Sequence, residues 1–315
     1  MKMYENLNEN GKSRKRMSQV IENLCKPDSY TSVYHRTNHD IPMPSIDQME
    51  DIMEELKMIL FPGYFGHSEI TPETMEYYIG SSIDMVYRMM SEQVKRGFCF
   101  SCSEGDTLDC VECESRSREL TLEFVEGLPE IRRLLATDMQ AAYEGDPAAK
   151  SHGETIFCYP SITAMIHYRI AHRLYNLEVP LIPRIITEMA HSDTGIDIHP
   201  GAQIGEHVFI DHGTGVVIGE TCVIGENVRI YQGVTLGAKS FPLDDYGNPI
   251  KGIPRHPVVE DNVIIYSGAT ILGRVTIGRN SVIGGNVWLT RSVPADTNVL
   301  QQKPAESYFE NGGGI

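Results

Sequence analysis

From Ile198 onward the chain repeats itself every six residues. The hexads read I-H-P-G-A-Q, I-G-E-H-V-F and I-D-H-G-T-G. After a two-residue shift they resume as I-G-E-T-C-V, I-G-E-N-V-R, I-Y-Q-G-V-T and L-G-A-K-S-F. After a longer gap six more follow, from V-E-D-N-V-I to L-T-R-S-V-P, making thirteen in all. Each opens on Ile, Leu or Val. Four positions later stands a small or β-branched residue or a cysteine, from Ala202 and Val208 through Thr214 and Ser240 to Val293. A period of six held this long is the mark of a parallel β-helix, in which each hexad forms one flat side of a triangular coil. The leading aliphatic points inward and stacks on its counterpart one coil away.

The first 190 residues read differently. Residues 1–44 are polar and predict a mobile arm with at most one short helix. From Ser45 the spacing of Met49, Ile52, Met53, Leu56 and Leu60 follows one buried helical face. Thr71-Pro72 predicts the start of a second helix reaching about residue 96. Further helices are expected near 115–126 and 130–144, the latter ended by Gly145 and Pro147. Another, capped by Ser161, carries Met165, Ile166, Tyr168, Ile170, Ala171 and Leu174, and a short one spans about 182–190. The expected fold class is therefore α+β. An all-α domain over 45–192, with a Cys-rich loop at 98–114, precedes a β-helix over 193–298 with a loop inserted at 240–254. A tail covers 299–315.

Charge narrows the function classes. The 315-residue chain carries a net charge of −16 and a pI near 5.1. Nucleic-acid binding depends on basic patches, and the single basic cluster, Lys12 to Arg16, lies in the polar arm. No apolar run is long enough to span a membrane, and the opening residues lack the apolar core of a signal peptide. The expectation is a cytoplasmic protein that binds neither nucleic acid nor membrane. Seven cysteines, an odd number, suit thiols or metal ligands in a reducing compartment.

The repeat breaks in two places, and both breaks hold chemistry that a scaffold does not need. The first is the shift within I-D-H-G-T-G-V-V-I-G-E-T (210–221). The second is the Pro- and Gly-rich insert between Ser240 and Val258, which must loop out of the coil. Asp211-His212 marks the first and Arg255-His256 the second, with Asp197 and His199 just upstream. Carboxylates pair with an amine and an arginine with a carboxylate. A histidine titrates in the range useful to a general base. Together these groups would bind a small zwitterion and move a proton.

At this point the chain resembles the serine O-acetyltransferases of the hexapeptide acyltransferase superfamily. The matching stretches are G-D-P-A (145–148), Y-R-I-A-H-R-L-Y-N (168–176), D-I-H-P (197–200), the 210–221 segment, Q-G-V-T-L-G (232–237) and R-H-P (255–257). The resemblance implies a left-handed coil and acetyl transfer from acetyl-CoA to the hydroxyl of L-serine, giving O-acetyl-L-serine for cysteine synthesis. It makes His212 the general base and Asp197 the carboxylate that fixes its tautomer. It assigns the serine ammonium to Asp146 and Asp211, and the carboxylate to Arg255 and His256. Gly237, Ser267 and Gly285 correspond to acetyl-CoA contacts. It further implies a homotrimer with the site between subunits, trimers that pair in some members, and feedback inhibition by L-cysteine. The terminal E-N-G-G-G-I would let Ile315 insert into cysteine synthase. After the last coil the family's Gly-x-Pro-Ala turn is replaced by Gln302-Lys303-Pro304-Ala305.

Outside the matched region, Cys99, Cys102, Cys110 and Cys113 form a C-x2-C-x7-C-x2-C array. Two such knuckles suit a tetrahedral structural zinc. The spacer is shorter than in zinc ribbons, and four thiols or redox pairs fit equally well. Other readings of the whole chain are a hexapeptide acyltransferase with another small hydroxyl acceptor, a non-catalytic regulator of cysteine synthase, and a γ-type carbonic anhydrase. The last would draw three zinc ligands from His199, His207, His212 and His256.

Overall fold

In the computed structural model of the chain, the described residues are 2–35, 41–66, 69–102 and 110–302, with side chains described from Ser13 onward and not at Cys110. The arm is more helical than its polar composition predicts. It forms α1 (Lys2–Leu24) and α2 (Pro27–Tyr30). Residues 13–35 are exposed throughout.

The helical domain proper comprises α3 (Ile46–Leu60), α4 (Met75–Ser101), α5 (Cys110–Glu126), α6 (Leu128–Gly145), α7 (His152–Cys158), α8 (Pro160–Asn176) and α9 (Ile182–Thr194). Ser45 caps α3 by accepting from the Gln48 N–H, and the predicted face of that helix is buried. Thr71-Pro72 forms a turn ahead of α4 rather than its first turn, and Thr74 is the N-cap. Tyr159, not Ser161, precedes the first turn of α8, because Pro160 takes the N1 position and Ser161 is buried one residue later. The Cys-rich segment is helical at both ends, with Cys99 inside α4 and Cys113 inside α5.

The β-helix begins at Asp197. Its first face stacks β1 (Asp197–Ile198), β4 (Val217–Ile218), β7 (Thr235–Gly237), β10 (Thr270–Leu272) and β13 (Trp288–Leu289). The second stacks β2 (Gln203–Ile204), β5 (Val223–Ile224), β8 (Val258–Val259) and β11 (Thr276–Ile277). The third stacks β3 (Phe209–Asp211), β6 (Arg229–Tyr231), β9 (Ile264–Ile265), β12 (Val282–Ile283) and β14 (Asn298–Val299). Every pairing between these strands is parallel. All thirteen leading aliphatics are buried, so the left-handed coil has one continuous apolar axis. Its corners turn through left-handed backbone, which asparagine tolerates better than most residues. Asn227, Asn262, Asn280 and Asn286 lie there at φ between 56° and 58°.

Four positions after the leading aliphatic, eleven of the thirteen residues are buried, and the two exceptions mark the breaks. Thr214 is exposed and Val216 is buried in its place, because the two extra residues push the inward position on by two. Ser240 is exposed where the insert leaves the coil. That insert folds back as a short antiparallel pair, Leu243 opposite Pro249. Asp244 Oδ1 closes its tip by accepting from the Tyr246 and Asn248 N–H groups.

The two parts are joined by buried polar contacts. Tyr168 of α8 donates to the Ala202 carbonyl and accepts from the Ile204 N–H. Arg169 grips Asp138 of α6 through two bonds of 3.0 and 3.1 Å and donates to the carbonyls of Ile204 and Gly205. Asp138 in turn accepts from the Val208 N–H. The first coil is thus held to α6 and α8 just before it delivers Asp211 and His212.

Candidate active site

The first break places His212 at the edge between the third and first faces. Its backbone has φ of +55°, followed by Gly213 at +82°. This winding turns the ring outward, leaving the side chain 76% exposed with Nε2 3.9 Å from Asp211 Oδ1. Asp146, at the C-terminus of α6, joins the same cluster. Its Oδ2 accepts from the Tyr159 hydroxyl at 2.5 Å and its Oδ1 from the Ala148 N–H at 2.8 Å. The Tyr159 bond, aided by Ala148 and by the charges of His212 and Arg229, holds the Asp146 carboxyl below its ordinary range against the effect of burial. Asp211 moves the other way: burial raises it, opposed by His212, and the Asp146 charge adds to the rise. Two neighbouring carboxylates thus have opposite tendencies, with imidazole and guanidinium groups beside them.

The second break builds a different cluster, at the edge between the first and second faces. His199 follows β1 there, Glu220 and Thr221 follow β4, and the insert returns as Arg255-His256. Thr221 organises it. Its Oγ1 accepts from the backbone N–H groups of Arg255 and His256, and its own N–H donates to His256 Nδ1 at 3.0 Å. That makes Nδ1 an acceptor and leaves the proton of the neutral ring on Nε2. Burial, then the Arg255 charge, pushes His256 down to about 4. Gly219 admits this ring, because a Cβ there would lie 2.1 Å from His256 Cδ2. Arg255 donates to Glu220 Oε2 at 2.5 Å. Burial opposes it, yet that bond and charge hold Glu220 below its usual range. His199 Nδ1 accepts from the Gly201 N–H, and burial followed by the Arg184 charge lowers His199 to about 4.

The candidate residues therefore form two groups. Asp146, Asp211 and His212 lie on one edge, Arg255 and His256 on the other. The first face lies between them, roughly 15–20 Å of extended backbone at ~3.3 Å per residue. Asp197 sits on that face, paired with Val217. Among the described residues, the carboxylate within ion-pair distance of His212 is Asp211. No hydrogen bond or ion pair joins Asp197 to His212 among the described residues. Ser267 and Gly285 continue the His212 edge, where Gly215, Gly233 and Gly268 stack backbone on backbone. Gly237 ends β7 on the Arg255 edge.

Sequence reasoning missed Tyr159, Arg229, Glu220 and Thr221. None of them breaks a pattern: Thr221 stands at a hexad position that other coils fill with Asn, Gly, His, Lys, Arg or Ser. The other candidate zinc ligands do not converge. His207 pairs with Glu144, and the remaining three histidines are divided between the two edges. In the helical domain Cys99 and Cys113 are buried and Cys102 half-buried, while the Cys110 side chain lies outside the described residues. Among the described residues, no three His, Cys, Asp or Glu side chains are grouped to hold a metal ion. No helix there is long and apolar enough to cross a membrane.

A three-sided hexapeptide coil with an exposed histidine at its break defines a class, the hexapeptide-repeat transferases. A family model described as bacterial transferase hexapeptide (six repeats) matches residues 256–291. The chain is 54% identical over 276 residues to the plasmid serine acetyltransferase of Synechococcus elongatus, covering 87% of this chain and 86% of that one. It resembles Entamoeba histolytica serine acetyltransferase 1, solved in complex with L-cysteine, with a TM-score of 0.69 and 40% identity over 80% of this chain and 86% of that one. It also resembles soybean serine acetyltransferase complexed with serine, with a TM-score of 0.51 and 29% identity over 81% and 96%. The chain belongs to the serine acetyltransferase family, and so is an acyltransferase.

Proposed function

We propose that the chain transfers acetyl from acetyl-CoA to the hydroxyl of L-serine, releasing CoA and O-acetyl-L-serine. The observation that carries this reading is the grouping of Asp146, Asp211 and His212 at the break in the repeat. Asp146 and Asp211 receive the serine ammonium. His212 takes the hydroxyl proton as the serine oxygen attacks the thioester carbonyl. The tetrahedral intermediate collapses, and the sulfur leaves with the proton that His212 returns. Asp197, on the adjoining strand, takes the far ring nitrogen once the imidazole turns over the first face. Arg255 and the Nε2–H of His256 receive the substrate carboxylate.

Those last two groups reach His212 if a second chain sets its Arg255 edge against the first chain's His212 edge. A closed ring of three copies satisfies every edge once, and we assign the active form as a homotrimer. Acetyl-CoA then lies along the same seam, past Ser267 and Gly285 of one chain and Gly237 of the next. The glycine column keeps that seam clear of side chains. L-Cysteine carries the same ammonium and carboxylate as serine, so it competes for this site. Ile315 lies outside the described residues, and the proposal that it binds cysteine synthase rests on the C-terminal sequence alone. The reading as a whole is tested by CoA release with L-serine as acceptor and mass identification of O-acetyl-L-serine. Release with a different hydroxyl acceptor, but not with serine, would overturn the substrate.

A further inference from the structure

Tyr159 stands just before Pro160 at the head of α8, and nothing in the hexad pattern or the helical spacing marks it. Its hydroxyl donates to Asp146 Oδ2 at 2.5 Å, while Asp146 Oδ1 accepts from the Ala148 N–H. Its ring lies 6.4 Å, centroid to centroid, from Phe209. Phe209 belongs to the strand that continues directly into Asp211. Tyr159 therefore touches both elements that supply the paired carboxylates, one by a hydrogen bond and the other by ring packing.

We propose that Tyr159 is a positioning residue for the amino-acid acceptor: it fixes the Asp146 carboxylate beside Asp211 so that both can receive the acceptor's ammonium group. This rests on the serine reading above. Each Asp146 oxygen carries one bond from the protein, which leaves lone pairs on both for the ligand. A neutral donor on one carboxylate also favours its ionised form, which offsets the repulsion between two like charges in one small site. Burial, and then the Asp146 bond itself, raises the tyrosine hydroxyl well above its ordinary range. It therefore stays protonated, and a donor, at any pH where the enzyme would work.

The test is Tyr159→Phe, which keeps the ring against Phe209 and removes only the hydroxyl. The KM for L-serine should rise roughly tenfold, the scale of a hydrogen bond to a charged group. The KM for acetyl-CoA, and kcat at saturating serine, should hold. The acid limb of kcat/KM for serine should move to higher pH, because Asp146 loses the donor that holds its carboxyl low. In an Asp146→Asn background the same substitution should add nothing further. An unchanged serine KM, an unmoved acid limb, or an equal loss in both backgrounds would overturn the proposal. Wild-type turnover in the same assay separates the two readings. If the wild type acetylates serine and Tyr159→Phe matches it, only this proposal falls. If the wild type leaves serine untouched, the serine reading falls and takes this one with it.

Discussion

A histidine at φ of +55° accepts an unfavourable backbone for the sake of where its ring goes. At the corresponding corner of later coils the left-handed turn falls on Gly233, Gly268 and Asn286, residues that tolerate it. The other edge holds two histidines whose surroundings favour the neutral ring. His199 and His256 are both lowered to about 4, chiefly by burial. In the unfolded chain each titrates near 6.5, so between about 6.5 and 4 the unfolded state binds more protons than the folded one. Stability must then be full above this window and fall as pH drops through it. Thermal melting from about pH 7 to about pH 4.5 should show a declining Tm. His256→Asn should make that decline shallower; an identical slope in the variant would contradict the assignment. The imidazoles at 212 and 256 were legible as chemistry because no repeat needs them. Glu220 and Tyr159 were not, since their partners lie about 35 and 13 residues away along the chain and neither breaks a pattern where it stands.

At the level of elements, the hexads were readable because one requirement recurs thirteen times, an aliphatic at the coil's interior. At Thr214 and Ser240, where the coil gains residues, the residue four positions after the leading aliphatic is exposed instead of buried. Helix ends were less legible, since Pro160 and Thr74 set them through backbone geometry rather than apolar spacing. The attachment of α6 and α8 to the first coil was hidden as well. Tyr168 fell on the apolar face of its helix, but no periodicity shows that Arg169 will find Asp138. That pair is 4% and 0% exposed at its side chains. Removing one partner of such a pair leaves an uncompensated buried charge, which costs about 3–5 kcal/mol. Asp138→Ala should lower the stability measured by urea denaturation by about that amount. A loss below ~1 kcal/mol, the scale of a surface ion pair, would contradict the role given to it.

At the scale of the whole molecule, the proposed function makes a single chain carry two halves of a site on two edges of one prism. The reading of a shared site makes a specific prediction. His212→Ala and Arg255→Ala chains should each be inactive alone. Mixed trimers, formed by co-expression, should regain part of the wild-type rate, because some seams would pair an intact His212 edge with an intact Arg255 edge. Mixed trimers as inactive as the parents would show that both residues act within one chain. Sequence alone could not separate these cases, because it does not show that the two breaks fall on different edges of the coil.

The most direct measurement for the account as a whole is CoA release from acetyl-CoA with L-serine, comparing wild type with His212→Ala. The account predicts turnover in the wild type and a loss of at least ~100-fold in kcat for the variant, the scale of a general base. A variant that retains wild-type turnover would contradict it, and the break in the repeat would then need another explanation than the presentation of His212 to serine.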